Sequence, residues 1–282
     1  MGNLLIFGMG YTSQVIAARL RALGWTVRGT GRAGDIAFDD RAAVEAALAN
    51  ATHVLSSVPP ARDGGDPVLQ AYGADIAAGW LAWVGYLSST GVYGDAGGAW
   101  VDETASVGTG RRSARTQADL DWQALSYRTR VFRLPGIYGP GRSALDRVRE
   151  GKAHRIDIAG QVFSRVHVED IASGVIAGLE GPSGVYNLSD DLPCSQNAVI
   201  EEAARLLGVE PPPMQSLEQA NLSPMALGFY AENRRVANGK AKRLLDWKPA
   251  FPTYREGLRA LNASTRPNIA SAEPASASVD HW

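Results

Sequence analysis

Short apolar runs and amphipathic stretches alternate along the first half of the chain. Asn3–Phe7 is a five-residue run with an apolar end, short enough for a buried strand. Gly8 and Gly10 follow it at once. Val15, Ile16, Leu20 and Leu23 then recur at helical spacing, which predicts a helix with one buried face. Gly24 marks the end of that helix. Further strands are predicted over residues 25–30, 35–38, 52–57, 83–88 and 130–134. Val58-Pro59-Pro60 stops the 52–57 strand abruptly. Between the strands, helices are predicted over 41–49, with Asp40 as N-cap, over 68–81 and over 112–127. Apolar strands separated by helices predict a parallel sheet covered on both faces.

Beyond residue 140 the alternation loosens. Residues 155–158 and 161–168 read as short strands or a hairpin, followed by a helix begun by Glu169 and Asp170. A strand at 185–188 and helices over 196–207, 223–229 and 254–261 follow, with a short helix ending at Asp246-Trp247. Pro211-Pro212-Pro213 reads as a linker. Residues 263–282 are rich in Ala, Ser and Pro, so a disordered tail is predicted.

The opening strand, glycine turn and helix have the form of a phosphate-binding corner. Gly8 permits the tight turn, and Gly10 lets backbone approach a diphosphate. The first-turn N–H groups at Tyr11, Thr12 and Ser13 and the positive end of the helix dipole face the anion. Ser13 stands where the fingerprint has Gly or Ala, and it is small enough for close packing. At the end of the second strand an acidic residue would hold the ribose of NAD, whereas an Arg accommodates the 2′-phosphate of NADP. Here Thr30-Gly31-Arg32 occupies that place, which predicts NADP as cofactor, with NAD second. The competing reading makes Arg32 a solvated loop charge. Arg28 shares a strand face with Thr30. Asp39 is placed to meet an adenine amino group, or else to be solvated. Ligands of such sheets lie beyond the carboxyl ends of the strands. Gly8, Arg32, Ser57 with Val58 and Pro59, and Ser88 with Ser89 all fall at such ends, so one crevice can collect them.

Composition narrows the function classes. The 282 residues carry a formal net charge of −1, which offers no basic field for nucleic acid and no polybasic membrane patch. The single cysteine, Cys194, excludes an intrachain disulfide and a cysteine metal cluster. His53, His154, His167 and His281 show no ligand spacing, so no metal is expected. No apolar run is long enough to span a bilayer, and the amino terminus enters a strand with no basic leader. A cytoplasmic setting is the expectation.

Several stretches in order resemble the extended short-chain dehydrogenase/reductase superfamily, in its NAD-dependent epimerase/dehydratase-like branch. They are residues 8–13, Leu87-Ser88-Ser89-Thr90-Gly91-Val92-Tyr93-Gly94, Arg133-Leu134-Pro135-Gly136-Ile137-Tyr138-Gly139-Pro140-Gly141, Val166-His167-Val168-Glu169-Asp170, Tyr186-Asn187-Leu188, and the segment from Asn238 to Leu258. The resemblance covers residues 3 to 262. It implies an α/β fold: a doubly wound parallel sheet of Rossmann type with a smaller interleaved C-terminal substrate domain. The dinucleotide-binding domain would take residues 1–165 and part of 166–190, and the substrate domain residues 140–165 and 190–262. It further implies a nicotinamide cofactor and a small hydroxyl or carbonyl substrate, sugar-like or anionic, and it allows a homodimer. Ser89 matches the hydroxyl that bonds the reacting oxygen, or it caps the strand end. Pro135, Gly136 and Ile137 match the nicotinamide end, and His167 a tie between domains.

The chain departs from the family at the proton donor. Members carry a Tyr and a Lys four residues apart on the helix after the 83–88 strand, and no Tyr here has Lys at that spacing. Arg111 and Arg115 stand near those positions. Arg does not lose its proton at neutral pH, so it is no general acid. Arg115 remains a candidate ribose or phosphate contact. Tyr93 is a candidate displaced acid, and Asp102 and Glu103 are candidate substrate contacts or loop charges. Arg111, Arg112, Arg115 and Arg142 recognise an acidic or phosphorylated substrate, or simply form a solvated basic face. The functional expectations are an NADP-dependent oxidoreductase or epimerase-like enzyme with a rearranged proton donor, an NADP(H)-sensing protein without turnover, and a nucleotide-sugar binding protein.

Overall fold

The computed structural model describes residues 2–61, 64–110, 113–222 and 224–265. Arg111 and Arg112, two of the predicted cations, lie outside the described residues, as does the predicted tail from residue 266 onward. The strands are β1 Asn3–Phe7, β2 Thr26–Gly29, β3 His53–Ser56, β4 Trp83–Ser89, β5 Trp100–Val101, β6 Thr129–Leu134, β7 Gly136–Tyr138, β8 Arg155–Ile156, β9 Arg165–His167, β10 Gly184–Asn187, β11 Met214–Gln215 and β12 Arg235–Val236. The helices are α1 Tyr11–Ala22, α2 Arg41–Asn50, α3 Pro67–Ala78, α4 Ser113–Leu125, α5 Ala144–Arg149, α6 Val168–Glu180, α7 Gln196–Leu207, α8 Pro224–Tyr230, α9 Gly239–Leu244 and α10 Tyr254–Thr265.

Six strands form one parallel sheet in the order β10-β6-β4-β3-β1-β2. Strand alternation divides β1 between two cores. Leu4 and Ile6 face α1 and α6, packing with Ile16, Leu20, Ile171 and Val175. Leu5 and Phe7 face α2, α3 and α4, packing with Val44, Tyr72, Ile76 and Trp122. Both faces of the sheet are thus covered, as the near-continuous apolar strands require. Later segments build a third core in which Tyr138 and Leu145 meet Val199 and Ala203 of α7 and Leu258 and Leu261 of α10.

Several predicted boundaries are corrected. Residues 35–38 form no strand, and only a bridge joins Ile36 to Thr30. The Asp35 carboxylate accepts the Gly29 N–H at 2.8 Å, and Gly34 presses on the Gly29 carbonyl where a Cβ would overlap. Those contacts fold the chain back across the end of β2, which becomes the sheet edge. α3 begins at Pro67 because the Asp66 carboxylate accepts the Val68 and Leu69 N–H groups, and it ends before Trp80. Residues 155–168 form no hairpin: β8 runs parallel to β11, and β9 parallel to β7. α6 starts at Val168, capped by His167, whose Nδ1 accepts the Glu169 N–H at 3.2 Å. Residues 263–265, predicted disordered, continue α10. Leu23, predicted on the buried face of α1, is exposed at the C-cap, and the buried stripe is Ser13, Ile16, Ala17 and Leu20. No described helix is long and apolar enough to cross a membrane.

Candidate functional site

The chain leaves β1 for β2 on one side and later reaches β3 on the other. Such a reversal opens a crevice beyond the strand ends, and the glycine corner sits there. Gly8 has φ +88°, and a Cβ on it would meet the Ser57 Oγ at 2.9 Å. Only glycine fits that turn comfortably. Gly10 is the extended N-cap of α1 and makes no side-chain cap, while a Cβ on it would meet nothing within 4 Å. The first turn, Tyr11, Thr12 and Ser13, therefore presents N–H groups beneath open space.

The predicted cofactor residues around this corner divide by what their side chains do. Ser13 Oγ donates to Ser57 Oγ at 2.9 Å, which donates to the Gly8 carbonyl at 2.6 Å. Thr30 is buried, and its hydroxyl accepts the Gly8 N–H at 3.2 Å. Ser13, Ser57 and Thr30, with Val58 packed against Gly8, shape the corner itself. Tyr11 crosses the crevice: its hydroxyl donates to the Pro140 carbonyl at 3.1 Å, and the Arg142 guanidinium lies 5.7 Å from its ring centre. Pro59 and Asp39 are exposed. Arg28 is held by Asp35 at 2.8 Å. Arg32 is exposed and makes no ion pair or side-chain hydrogen bond among the described residues.

A cavity of about 590 Å³ lies beside the crevice, between the ends of β4 and β7 and helices α5, α7, α8 and α10. Ser89, Pro135, Gly136 and Ile137 are among the residues that line it. Ser89 Oγ accepts the Gly91 N–H at 3.1 Å, which leaves its hydroxyl hydrogen available to a ligand. Arg142 also lines the cavity.

Two other predicted site residues, Ser88 and Arg115, are not among the cavity lining. Ser88 is buried and donates to the Asp119 carboxylate at 2.5 Å. The Arg115 charge faces the buried Tyr86 phenol, whose ring stacks on Trp122 at 5.2 Å. Residues 115, 118 and 122 share one stripe of α4, which packs on the sheet face opposite α1.

Below Ser88 runs a buried polar network. Arg133 grips the Asp119 carboxylate at 2.7 and 3.0 Å and lies 4.9 Å from the Tyr93 ring centre. The Tyr93 hydroxyl donates to the Asn187 side-chain oxygen at 2.8 Å, and Glu103 accepts the Asn187 N–H at 2.7 Å. Burial raises the Tyr93 phenol above its usual range and the Glu103 carboxyl above the usual carboxylate range. Tyr93 and Glu103 thus serve the scaffold, and Asp102 caps a turn at Thr104. His167 is buried against Tyr138 and Phe251, and desolvation holds its pKa down to about 4, so it stays neutral.

Among the cavity residues that sequence reasoning missed are Arg147, Phe163, Arg165 and Tyr230. They come from α5, a loop, β9 and α8. No local pattern sets them apart from ordinary surface or core positions.

No protein-family model matches the chain. It is 34% identical over 140 residues to the 3-diazoavenalumate denitrifying reductase of a Streptomyces species, and spans about half of it, 45% of each chain being covered. A solved conserved protein of unknown function from Silicibacter pomeroyi is 44% identical, with a TM-score of 0.84 over 94% of this chain and 99% of that one. The human epimerase family protein SDR39U1 (isoform 2), solved with NADPH, is 17% identical, with a TM-score of 0.75 over 93% of this chain and 99% of that one. The chain belongs to one family with the Silicibacter pomeroyi protein and shares its fold with the human epimerase family protein SDR39U1.

Proposed function

We propose that the protein binds NADP(H) across residues 8–13 and acts as an oxidoreductase, reductase or epimerase-like, on a small molecule bearing a hydroxyl or carbonyl. The observation that carries this reading is the open cradle over Gly10, at an uncapped helix N-terminus and at the reversal point of the sheet. The fold shared with a protein solved with NADPH supports it, as does similarity to a protein named a reductase. When bound, the nicotinamide supplies or accepts a hydride. The residues of this chain do the rest. First-turn N–H groups of α1 hold the diphosphate. Arg32, without a partner among the described residues, meets the 2′-phosphate, and Asp35 at the end of β2 is taken up by Arg28 and the Gly29 N–H. Pro135, Gly136 and Ile137 bound the nicotinamide end. Ser89 donates its hydroxyl hydrogen to the reacting oxygen. Arg115, set apart from the cavity, takes no part. The segments that build the third core, with α8, form the substrate side. A cytoplasmic setting belongs to this reading, since the chain has one cysteine and no disulfide.

A second reading, NADP(H) sensing without turnover, is favoured by α4, which carries neither Tyr nor Lys. Calorimetric titration with NADPH and NADH tests the common part, and absence of binding by either overturns both readings. NADPH oxidation across aldehyde, ketone and sugar panels separates them: turnover supports the enzyme, and tight binding without turnover supports the sensor.

A further inference from the structure

The cavity carries more positive charge than its own acids neutralise. Asp146 accepts the Ser143 N–H and hydroxyl at 2.9 and 2.7 Å as a helix cap and lies 3.7 Å from Arg149. Glu150 pairs with Lys152 at 2.8 Å, and Glu232 with Arg234 at 2.9 Å. Three cations remain. Arg142 lies over the Tyr11 ring. Arg147 is exposed, and its side chain makes no ion pair or hydrogen bond among the described residues. Arg165 is only 7% exposed, and its guanidinium donates to the carbonyls of Phe163, Cys194 and Ser195, the Gln196 amide oxygen and the Cys194 sulfur, all neutral acceptors. The nearby Asp190 accepts no side-chain hydrogen bond from it.

Aromatic rings stand among these cations. Phe163 and Tyr230 meet edge to face at 5.5 Å, with Arg165 6.0 Å from the Phe163 ring centre and the Arg147 charge acting on the Tyr230 phenol. Of the neutral polar side chains beside them, Ser143 donates to Asp146 and the Gln196 oxygen takes Arg165. Sugar hydroxyls buried against the aromatic walls would lose their water without replacement, at a cost in affinity.

We infer that this cavity takes an organic acid with a planar apolar body, its carboxylate held by Arg147 and Arg142 and its body resting on Phe163 and Tyr230, in place of a sugar. A guanidinium pair suits a carboxylate because the fork geometry matches both oxygens. The reacting end then points toward Ser89, an orientation that rests on the function proposed above, whereas the choice of an acid does not.

Trans-cinnamate serves as the probe, with cinnamyl alcohol as its neutral counterpart and glucose and UDP-glucose as sugar comparisons. Binding is followed by calorimetry on the full chain, with and without NADPH. Cinnamate is expected to bind more tightly than the alcohol or either sugar. Arg147→Ala should weaken cinnamate about tenfold or more while leaving the alcohol within about twofold. Arg147→Lys should recover part of the loss. Arg147 is exposed, so thermal unfolding of the variant should match the parent; if it does not, Arg142→Ala gives the same reading from the second cation. Equal cinnamate affinity in parent and variants, tighter binding of UDP-glucose, or no cinnamate binding overturns the inference. Cinnamate binding without NADPH binding would leave it standing and overturn the proposed function instead.

Discussion

The Thr30 hydroxyl accepts a hydrogen bond from the Gly8 N–H at 3.2 Å, so the end of β2 grips the glycine corner directly. Thr30 occupies the place where a ribose-binding acid is expected, yet its side chain faces the corner and not the crevice. Thr30→Val keeps the shape and removes the acceptor. The unpaired Gly8 N–H should cost about 1 kcal/mol in urea unfolding. NADPH and NADH should weaken together, because the corner and not the ribose is disturbed.

Gly8 and Gly10 separate folding from binding. Gly8→Ala forces a Cβ into the left-handed region and against Ser57, so the thermal midpoint should fall by several degrees. At Gly10, φ is −95° and the space above it is open. Gly10→Ala should leave the midpoint within a few degrees and still weaken NADPH about tenfold or more, since the methyl fills the space a diphosphate needs. Unchanged NADPH affinity in Gly10→Ala would place the cofactor elsewhere.

Arg32 reports cofactor choice. Its guanidinium has no described partner, while Arg28 is held by Asp35. Arg32→Ala should raise the NADPH dissociation constant about tenfold and leave that of NADH unchanged. Equal losses for the two cofactors would make Arg32 a general charge with no part in selecting the 2′-phosphate.

Asp119 and Arg133 form a buried ion pair, with side chains 0% and 3% exposed. Asp119 also accepts from Ser88 and Gln123. Asp119→Ala would strand the guanidinium in the core, and a loss of about 3–5 kcal/mol in urea unfolding is expected. The double variant Asp119→Ala with Arg133→Met should recover much of that loss, because an apolar pair leaves no buried charge.

Stability should fall as pH rises through neutrality. Asp190 is 2% exposed with neither carboxylate oxygen hydrogen-bonded, and burial pushes its pKa up to about 7. The folded chain then holds a proton that the unfolded chain releases near pH ~4. The resulting loss of stability accumulates from there up to about pH 7. His167 acts oppositely: it is held neutral down to about pH 4 in the folded chain, so its penalty disappears as pH rises toward ~6.5. Between pH 6 and 8 urea unfolding of the parent should therefore lose about 1 kcal/mol relative to Asp190→Asn, in which only the His167 gain remains. Parallel profiles of parent and variant would mean that Asp190 ionises freely.

Much of the fold was legible in local pattern. The apolar runs at 3–7, 52–57, 83–88 and 130–134 mark sheet strands, because a strand buried on both faces can carry few polar residues. The corner was legible because Gly8 and Gly10 act within the turn they occupy. Residues 35–38 misled because their pattern suits a strand, whereas Asp35 and Gly34 fasten the chain back onto Gly29.

By itself, the order of residues determined the alternation of strand and helix, the glycine corner, and the meeting of Gly8, Ser57 and Ser89 at one edge of a parallel sheet. Each follows from short-range periodicity and from the fixed direction of parallel strands. Tertiary structure alone decided that Arg115 faces the Tyr86 side while Ser89 faces the cavity, that Asp119 receives Arg133, and that Arg142, Arg147 and Arg165 gather around Phe163 and Tyr230. Those neighbours lie on different elements. Local periodicity sets which face of an element is buried, and the packing of whole elements sets what that face meets.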